Sequence, residues 1–455
     1  MSTSADFETD LLVIGAGGCG LAAAIAAHDA GLSVAIVEKR DRPGGNSALS
    51  TGSIPGAGSK YQDAAGIEDS PEQLIADLQS VAGLHDADAL TRLMAEQSAP
   101  LVEWLIDDLG ARMELVTAYK HVGHSVPRLH APRSRRGQDL VDDLLRFVSD
   151  RGIPIAVGQG VERLIVDDGA VTGAVIGGDH IRAAKTLLAT NGFAGNREMV
   201  ARWCPEIAEA EYFGALGSTG EAIAWGEALG AGLGNMAAYQ GYAAVAYPQG
   251  SLLSWTTIEK GGVLVGQDGR RFGNEDAGYS GYAPEVMRQG PFAYAIYDTR
   301  IHEIAAQEEE YAEMAEMGAV RWSDDPHSLG EPFSIPGDAL AETLDAYNTA
   351  AGGAGSDPFG RRKFELAPLR PPYAIVRVKP GLFHTQGGLA VDTHARVITP
   401  AGSPIPNLFA GGGAAAGISG RAGAGGYASG NGLLTALGLG RIAGLRAAWE
   451  IQNSA

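Results

Sequence analysis

The 455-residue chain has little cysteine: Cys19 and Cys204 are the only two. Two thiols cannot make a disulfide framework, and their scarcity suits a reducing compartment, so a cytoplasmic location is expected. No C-x-x-C-H stretch and no iron–sulfur spacing occurs, which excludes covalent c-type haem and a cysteine-ligated cluster. No metal-ligand spacing stands out, and no metal is expected. Positive charge is scarce as well: 34 Lys and Arg stand against 54 Asp and Glu, a net charge of −20. So acidic a chain is a poor partner for nucleic acid or an anionic membrane surface. It has no run of about 18 apolar residues, so no membrane span is expected. The opening MSTSADFETD lacks the basic residues of a secretory leader, and the first apolar run reads as a strand.

Glycine, by contrast, is abundant, at 65 residues, and the chain is long enough for two domains with a sizeable core. The glycines concentrate first in Asp10–Glu38, DLLVIGAGGCGLAAAIAAHDAGLSVAIVE. Leu11–Ile14 reads as a buried parallel strand, Gly15–Gly20 fits G-x-G-x-x-G, Leu21–Ala30 is helical in pattern, and Ser33–Val37 is a second strand ending at Glu38. This is the βαβ arrangement that binds dinucleotides. Gly15 makes the tight turn, while Gly17 and Gly18 let backbone approach a pyrophosphate. Gly20 lets helix pack on strand, and the helix amino end supplies amides for the phosphates. Glu38 can accept a hydrogen bond from a ribose hydroxyl.

The next stretch, Lys39–Gly58, reads KRDRPGGNSALSTGSIPGAG in place of the helix–strand repeat of an NAD domain. Small residues there suit backbone lying along a large planar ring. Glu38, Lys39, Gly44, Gly45, Ser47, Ser50 and Gly52 match E-K-x-x-x-x-G-G-x-[ST]-x-x-[SA]-x-G, with Asn46 inside it. On this motif the chain resembles the FAD-dependent oxidoreductase 2 family, which holds fumarate reductase, succinate dehydrogenase flavoprotein and 3-ketosteroid dehydrogenase. The resemblance implies FAD as cofactor, with Ser47 and Ser50 near flavin N5. No histidine in the Gly44–Gly58 loop signals covalent attachment. The fold implied is α/β: a Rossmann-like FAD-binding domain of the GR2 type with an inserted α+β cap. The division read from the chain is 1–238 and 380–455 for the FAD-binding domain and 239–379 for the cap.

The resemblance continues along the chain. Ile153–Gly177 carries two strands joined through Asp167-Asp168-Gly169, and Val161 falls where the family presents backbone to the adenine. In Thr186–Gly192, TLLATNG, Ala189 and Thr190 lie on the diphosphate side, with Asn191 in place of a glycine. Gly214–Gly232 resembles a helix start with Glu221 where aspartate is usual. In Ala410–Gly413 the family's ribitol-binding glutamate is replaced by Gly413, so FAD is expected to rely on backbone there. At the amino end of the C-terminal helix, Asn431, Leu433 and Leu434 face the flavin. Between 118 and 140, His121, His124, Arg128, His130, Arg133, Arg135 and Arg136 form a positive stretch, read as either an anion or substrate edge or a solvated loop.

Two stretches bear on the chemistry. In Gly269–Tyr279, GRRFGNEDAGY, the position of the fumarate reductases' proton-delivering arginine is Tyr279, where ketosteroid dehydrogenases have a basic tyrosine. Glu275 reads as a brace. In Ser419–Thr435 the fumarate reductases' second arginine falls on Tyr427, the place of a carbonyl-binding tyrosine in ketosteroid dehydrogenases, with the amide of Gly430 or Asn431 as its partner. The resemblance thus implies α,β-dehydrogenation of a ketone: Tyr427 and an amide hold the carbonyl, Tyr279 takes the α-proton and the β-hydrogen goes to the flavin. His384, at a carboxylate-binding position of fumarate reductases, and Arg421 suggest a substrate that also carries a carboxylate, such as 4-oxocyclohexanecarboxylate. The electron acceptor is left open among quinone, dye and O2. The alternatives are an enoate C=C reductase of the fumarate or urocanate type and a flavin redox carrier without turnover.

Overall fold

The computed structural model describes residues 7–83, 85–118 and 120–453. The first six residues, on which the expectation about a leader rests, lie outside these, as does Tyr119 of the positive stretch. The chain divides into two compact units: Met1–Cys204, Gly214–Tyr239 and His384–Ala455 make the first, and Pro205–Phe213 with Gln240–Phe383 the second. The division by sequence left Pro205–Phe213 and 380–383 with the first unit. Pairing explains the difference, because Glu211 and Tyr212 lie parallel to Gly381 and Leu382 of the second unit's long strand.

The first unit is a mainly parallel sheet flanked by helices. Strand β1 (Phe7–Ile14), helix α1 (Gly18–Asp29) and strand β2 (Val34–Val37) form the expected βαβ unit, with Leu11 opposite Val34 and Ile14 opposite Val37. On its other side β1 pairs in parallel with β3 (Asp179–Leu188), and β3 pairs with β6 (Pro404–Ala410). Leu11–Ile14 are buried on both faces, as apolar runs in parallel strands must be. Every residue from Gly18 to Ala27 is buried. The small side chains of α1 let helix α3 (Asn431–Gln452) come close: a Cβ on Gly440 would stand 2.2 Å from the Cys19 carbonyl oxygen, and one on Gly444 2.4 Å from that of Ala23. Strands Val161–Asp167 and Ala170–Ile176 form a hairpin whose turn residues Asp168 and Gly169 have φ of 49° and 81°. Two left-handed residues match the twist of the strands, and Asp-Gly is the sequence that provides them.

The second unit is built on a mostly antiparallel sheet. Val263–Val265 pairs with Ala293–Asp298, which pairs with β5 (Tyr373–Thr385), and β5 neighbours β4 (Ala237–Ala246). The chain enters this unit at Gln240, inside β4, and leaves it at Phe383, inside β5. A buried ion cluster stands beside the sheet. Glu275, 2 % exposed, accepts from Arg271 Nε at 3.1 Å and Nη2 at 2.6 Å and lies 3.4 Å from Arg361 Nη1. Arg271 also pairs with Asp357. Such charges are tolerable in a core only when fully paired, and Glu275 is thereby a brace for the segment that leads to Tyr279.

Candidate functional site

The glycine turn is built by close backbone approach. Gly15, at φ 111°, donates its N–H to Val37 O (2.8 Å), and a Cβ there would stand 2.4 Å from the Ala189 carbonyl oxygen. A Cβ on Gly20 would lie 1.9 Å from the Gly15 carbonyl oxygen. Gly17 caps α1 without any side chain, and no acidic residue occupies the first turn, so the amino end of α1 keeps its amides and positive partial charge for an anion. Gly44 N–H donates to Ala16 O (2.9 Å), bringing the second glycine loop onto the first. Gly45, Asn46 and Ser47 then start a short helix, Gly45–Leu49. Asn46 Oδ1 accepts from the Ala215 amide (2.6 Å) and Ser47 Oγ from Gly18 N–H (3.1 Å). Ser50 Oγ donates to Ser47 O (2.7 Å) and accepts from Gly52 N–H (3.1 Å), so its role is to shape the loop; Ser47 keeps a hydroxyl proton to donate.

At the other end of this cradle, the two carboxylate oxygens of Glu38 accept from the amides of Ala16 and Arg40, both at 2.9 Å. Each oxygen retains a lone pair for a ribose hydroxyl. Gln159 N–H donates to Glu38 O (2.9 Å), which brings Val161, half-buried at the start of its strand, to the same end of the sheet. Lys39 Nζ donates to Thr219 Oγ1 (2.7 Å) and pairs with Glu221. Thr219 lay outside the sequence reading; its position in the helix-start segment was the available signal. Ala189 N–H donates to Ile14 O (2.8 Å), and the next residue, Thr190, leaves Oγ1 buried without a partner. Glu221 Oε2 and Asn431 Oδ1 are also buried and unpartnered. Orphaned polar atoms around a backbone cradle need a polar ligand, and an elongated dinucleotide such as FAD fits this donor and acceptor set. Asn191 explains Gly413: its Oδ1 stands 2.4 Å from where a Gly413 Cβ would be, so the amide fills the space a glutamate would need.

The residues of the first unit expected to take part in the reaction gather at the amino end of α3. Gly430, at φ 83°, caps the helix with no side-chain hydrogen bond. Leu433 and Leu434 are buried in its first turn. Asn431 N–H donates to Ala428 O (3.2 Å), so of the two amides expected beside Tyr427 that of Asn431 is already engaged. The half-buried rings of His384 and Tyr427 meet edge to face, with centroids 6.1 Å apart. His384 Nε2 would lie 3.6 Å from a Cβ on Gly432. Burial lowers the pKa of His384, with the Thr385 carbonyl pulling weakly the other way, so the ring is neutral near pH 7. Its Nδ1 has two neighbours at similar distance: Thr385 O (3.3 Å), which can only accept, and Gln386 Nε2 (3.4 Å), which can donate. With Gln386 as partner, Nε2 carries the proton and becomes a donor toward the site. Arg421 was expected beside the carboxylate of the substrate. Its side chain is 66 % exposed and its guanidinium is ion-paired with Asp86 at 2.9 Å.

In the second unit, Tyr279 lies in the short helix Gly278–Gly281, half-buried. Its ring is 5.1 Å from that of Tyr242, which stacks at 5.4 Å and 6° on Phe383. Tyr242 donates its hydroxyl to Leu253 O (3.0 Å) and burial raises its pKa, so it has no proton to give to a Tyr279 phenolate. The centre of the positive stretch, residues 128–132, is buried. Arg128 and His130 are fully buried and His124 is 8 % exposed, because Arg128 is enclosed by the carboxylates of Asp69 and Asp77. Of the seven histidines and arginines named there, Arg133 and Arg136 are exposed.

Residues 10–433 match the family model of the FAD binding domain. The chain belongs to this family. It is 32 % identical over 451 residues to a probable fumarate reductase, Ifc3, of Shewanella frigidimarina, covering 97 % of this chain and 75 % of the relative. It is 25 % identical over 539 residues to the 4-oxocyclohex-2-ene-1-carboxylate 5-dehydrogenase of Sinomonas cyclohexanicum, covering 92 % of this chain and 90 % of that one. The crystal structure of the 3-ketosteroid-Δ4-(5α)-dehydrogenase of Rhodococcus jostii RHA1 with 4-androstene-3,17-dione superimposes with a TM-score of 0.79 at 27 % identity, covering 98 % of each chain. FAD is therefore the cofactor, and the chain is an FAD-dependent oxidoreductase of the group that acts on C=C and CH–CH bonds. Among the described residues no helix is long and apolar enough to cross a membrane.

Proposed function

We propose that the chain desaturates a ketone next to its carbonyl group, and that the substrate is a small cyclic keto acid of the 4-oxocyclohexanecarboxylate kind. The observation that carries this reading is the His384–Tyr427 pair at the amino end of α3, 6.1 Å between ring centres. The single arginine of the 419–430 loop, Arg421, is held by Asp86. On this reading the phenol of Tyr427, and not a guanidinium, holds the position that the resemblance gives to an enoate reductase's cation. Bound FAD supplies the two-electron acceptor. Tyr427 O–H and the Gly430 N–H donate to the carbonyl oxygen and stabilise the negative charge that develops there, an effect of about 3 kcal/mol for one such donor. Tyr279 takes the α-proton, whose acidity is raised by that stabilisation of the enolate oxygen. His384, with Gln386 donating to Nδ1, is neutral and donates from Nε2 to the carboxylate; Arg421 has no part in it. A relative that is named for a 4-oxocyclohexene carboxylate and dehydrogenates it supports the substrate class.

Enoate reduction is the second reading, favoured by the 32 % identity to a probable fumarate reductase. The two separate under anaerobic conditions. With 4-oxocyclohexanecarboxylate the oxidised flavin band should bleach within the mixing time of a stopped-flow or on the scale of minutes. A flavin that stays yellow with cyclic ketones, but is rapidly reoxidised from its reduced form by fumarate or urocanate, would select reduction.

A further inference from the structure

A buried cluster far from Tyr427 in sequence is connected to its loop. Arg128 donates from Nε and Nη2 to the two oxygens of Asp69, both at 2.8 Å, and from Nη1 to Asp77 at 2.6 Å. Nη1 is also 3.2 Å from His124 Nδ1. A guanidinium can only donate, so Nδ1 accepts and the imidazole proton is on Nε2. That Nε2 is 2.8 Å from the carbonyl oxygen of Ser429. The contact is reciprocated two residues before His124, where Ser429 N–H donates to Val122 O (3.0 Å). Between these two bonds Gly123, at φ 82°, lies flat on Ala428: a Cβ there would stand 2.5 Å from the Ala428 Cβ. Residues 122–124 therefore clasp 428–429, directly between Tyr427 and Gly430. The helix that carries Asp77, α2 (Pro71–Ala82), supports the same loop from its other end, since a Cβ on Gly426 would be 3.1 Å from Ala82 Cα and one on Gly420 3.1 Å from Ala82 O.

We infer that His124 is a positioning residue for the carbonyl-binding pair Tyr427 and Gly430, its tautomer fixed by Arg128. The inference rests on the reading of Tyr427 and Gly430 given above. His124 touches no substrate; it fixes where the phenol and the amide stand relative to each other. Two donors must converge on one oxygen, and a displacement well under an ångström is enough to spoil that geometry.

The test is a double-mutant cycle on the FAD-loaded protein, with 4-oxocyclohexanecarboxylate and a dye acceptor. His124→Asn keeps an acceptor for Arg128 but is too short to reach Ser429. It should lower kcat/KM about tenfold with FAD content unchanged, and this factor should vanish in the Tyr427→Phe background. His124→Gln, long enough to donate to Ser429, should recover most of the loss. An equal loss in both backgrounds, no loss in either, or loss of FAD with His124→Asn would overturn the assignment. If the Asn variant does not accumulate, Gly123→Ala displaces the same clasp and must show the same coupling to Tyr427. Tyr427→Phe with unchanged kcat/KM would overturn the carbonyl reading itself. A Tyr427→Phe defect beside a harmless His124→Asn would overturn only the positioning role.

Discussion

The FAD cradle and the reaction site are made of different materials. The cradle is backbone: Gly15 and Gly20 stand so close to the carbonyl oxygens of Ala189 and Gly15 that a methyl group does not fit, and the anion-binding end of α1 carries no side-chain cap. The proposed reaction residues act through side chains, and the loop that carries Tyr427 is held by a partner distant in sequence, His124 Nε2 beside Ser429 O. A backbone site tolerates no substitution at a few positions and is indifferent elsewhere. A side-chain site should lose chemistry while keeping its cofactor.

This contrast predicts a graded series. Gly20→Ala, which forces a Cβ to 1.9 Å from a carbonyl oxygen, should abolish FAD binding and leave apoprotein or aggregate, as read by the flavin-to-protein absorbance ratio. Full FAD occupancy in that variant would break the backbone account. Tyr279→Phe and Tyr427→Phe should each lower kcat by about 100- to 1000-fold, the size expected for losing a base or one oxyanion donor, with the flavin spectrum intact. Retained turnover would move the chemistry to other residues.

Stability against pH sharpens the comparison within the first unit. Burial lowers the pKa of His124 and of His130 to about 4. An unfolded histidine titrates near 6.5, so between the two values the unfolded chain binds more protons than the folded one. Stability is complete above about pH 6.5 and falls as pH drops toward 4, by about 1.4 kcal/mol per pH unit for each of the two rings. Urea midpoints from pH 7.5 to 4.5 measure this, and a flat profile would mean that the rings are not buried neutral. Glu38→Ala should weaken FAD retention about tenfold, since one charge-assisted hydrogen bond contributes about 1.5 kcal/mol. Equilibrium dialysis against FAD reads it, and substrate preference should not change. Arg421→Ala is the smallest effect, less than about twofold on kcat/KM, as for an exposed ion pair. A large rise in KM for keto acids alone would return Arg421 to the site.

The same contrast governs what the sequence could reveal. The βαβ unit, the glycine loops and the Asp168–Gly169 turn were legible because each requirement is local: close approach or positive φ leaves a glycine or an Asp-Gly in a fixed register. Glu275 was legible as a brace from its motif. The stretch from His121 to Arg136 was misleading, since a run of basic residues reads as a surface until the acidic partners are known. Asp69 and Asp77, which bury Arg128, are 59 and 51 residues away from it. The ion pair of Arg421 was hidden for the same reason, its partner Asp86 being far upstream. The tautomer of His384 is beyond sequence altogether, because it depends on Gln386 and Thr385 O standing almost equally far from one nitrogen.

The most direct measurement of the central claim is anaerobic mixing of the oxidised holoprotein with 4-oxocyclohexanecarboxylate, followed by mass analysis of the ketone. The account predicts a bleached flavin and a product two mass units lighter, with Tyr427→Phe slow in both. Unbleached flavin and unchanged ketone, together with rapid oxidation of the reduced protein by fumarate, would contradict it.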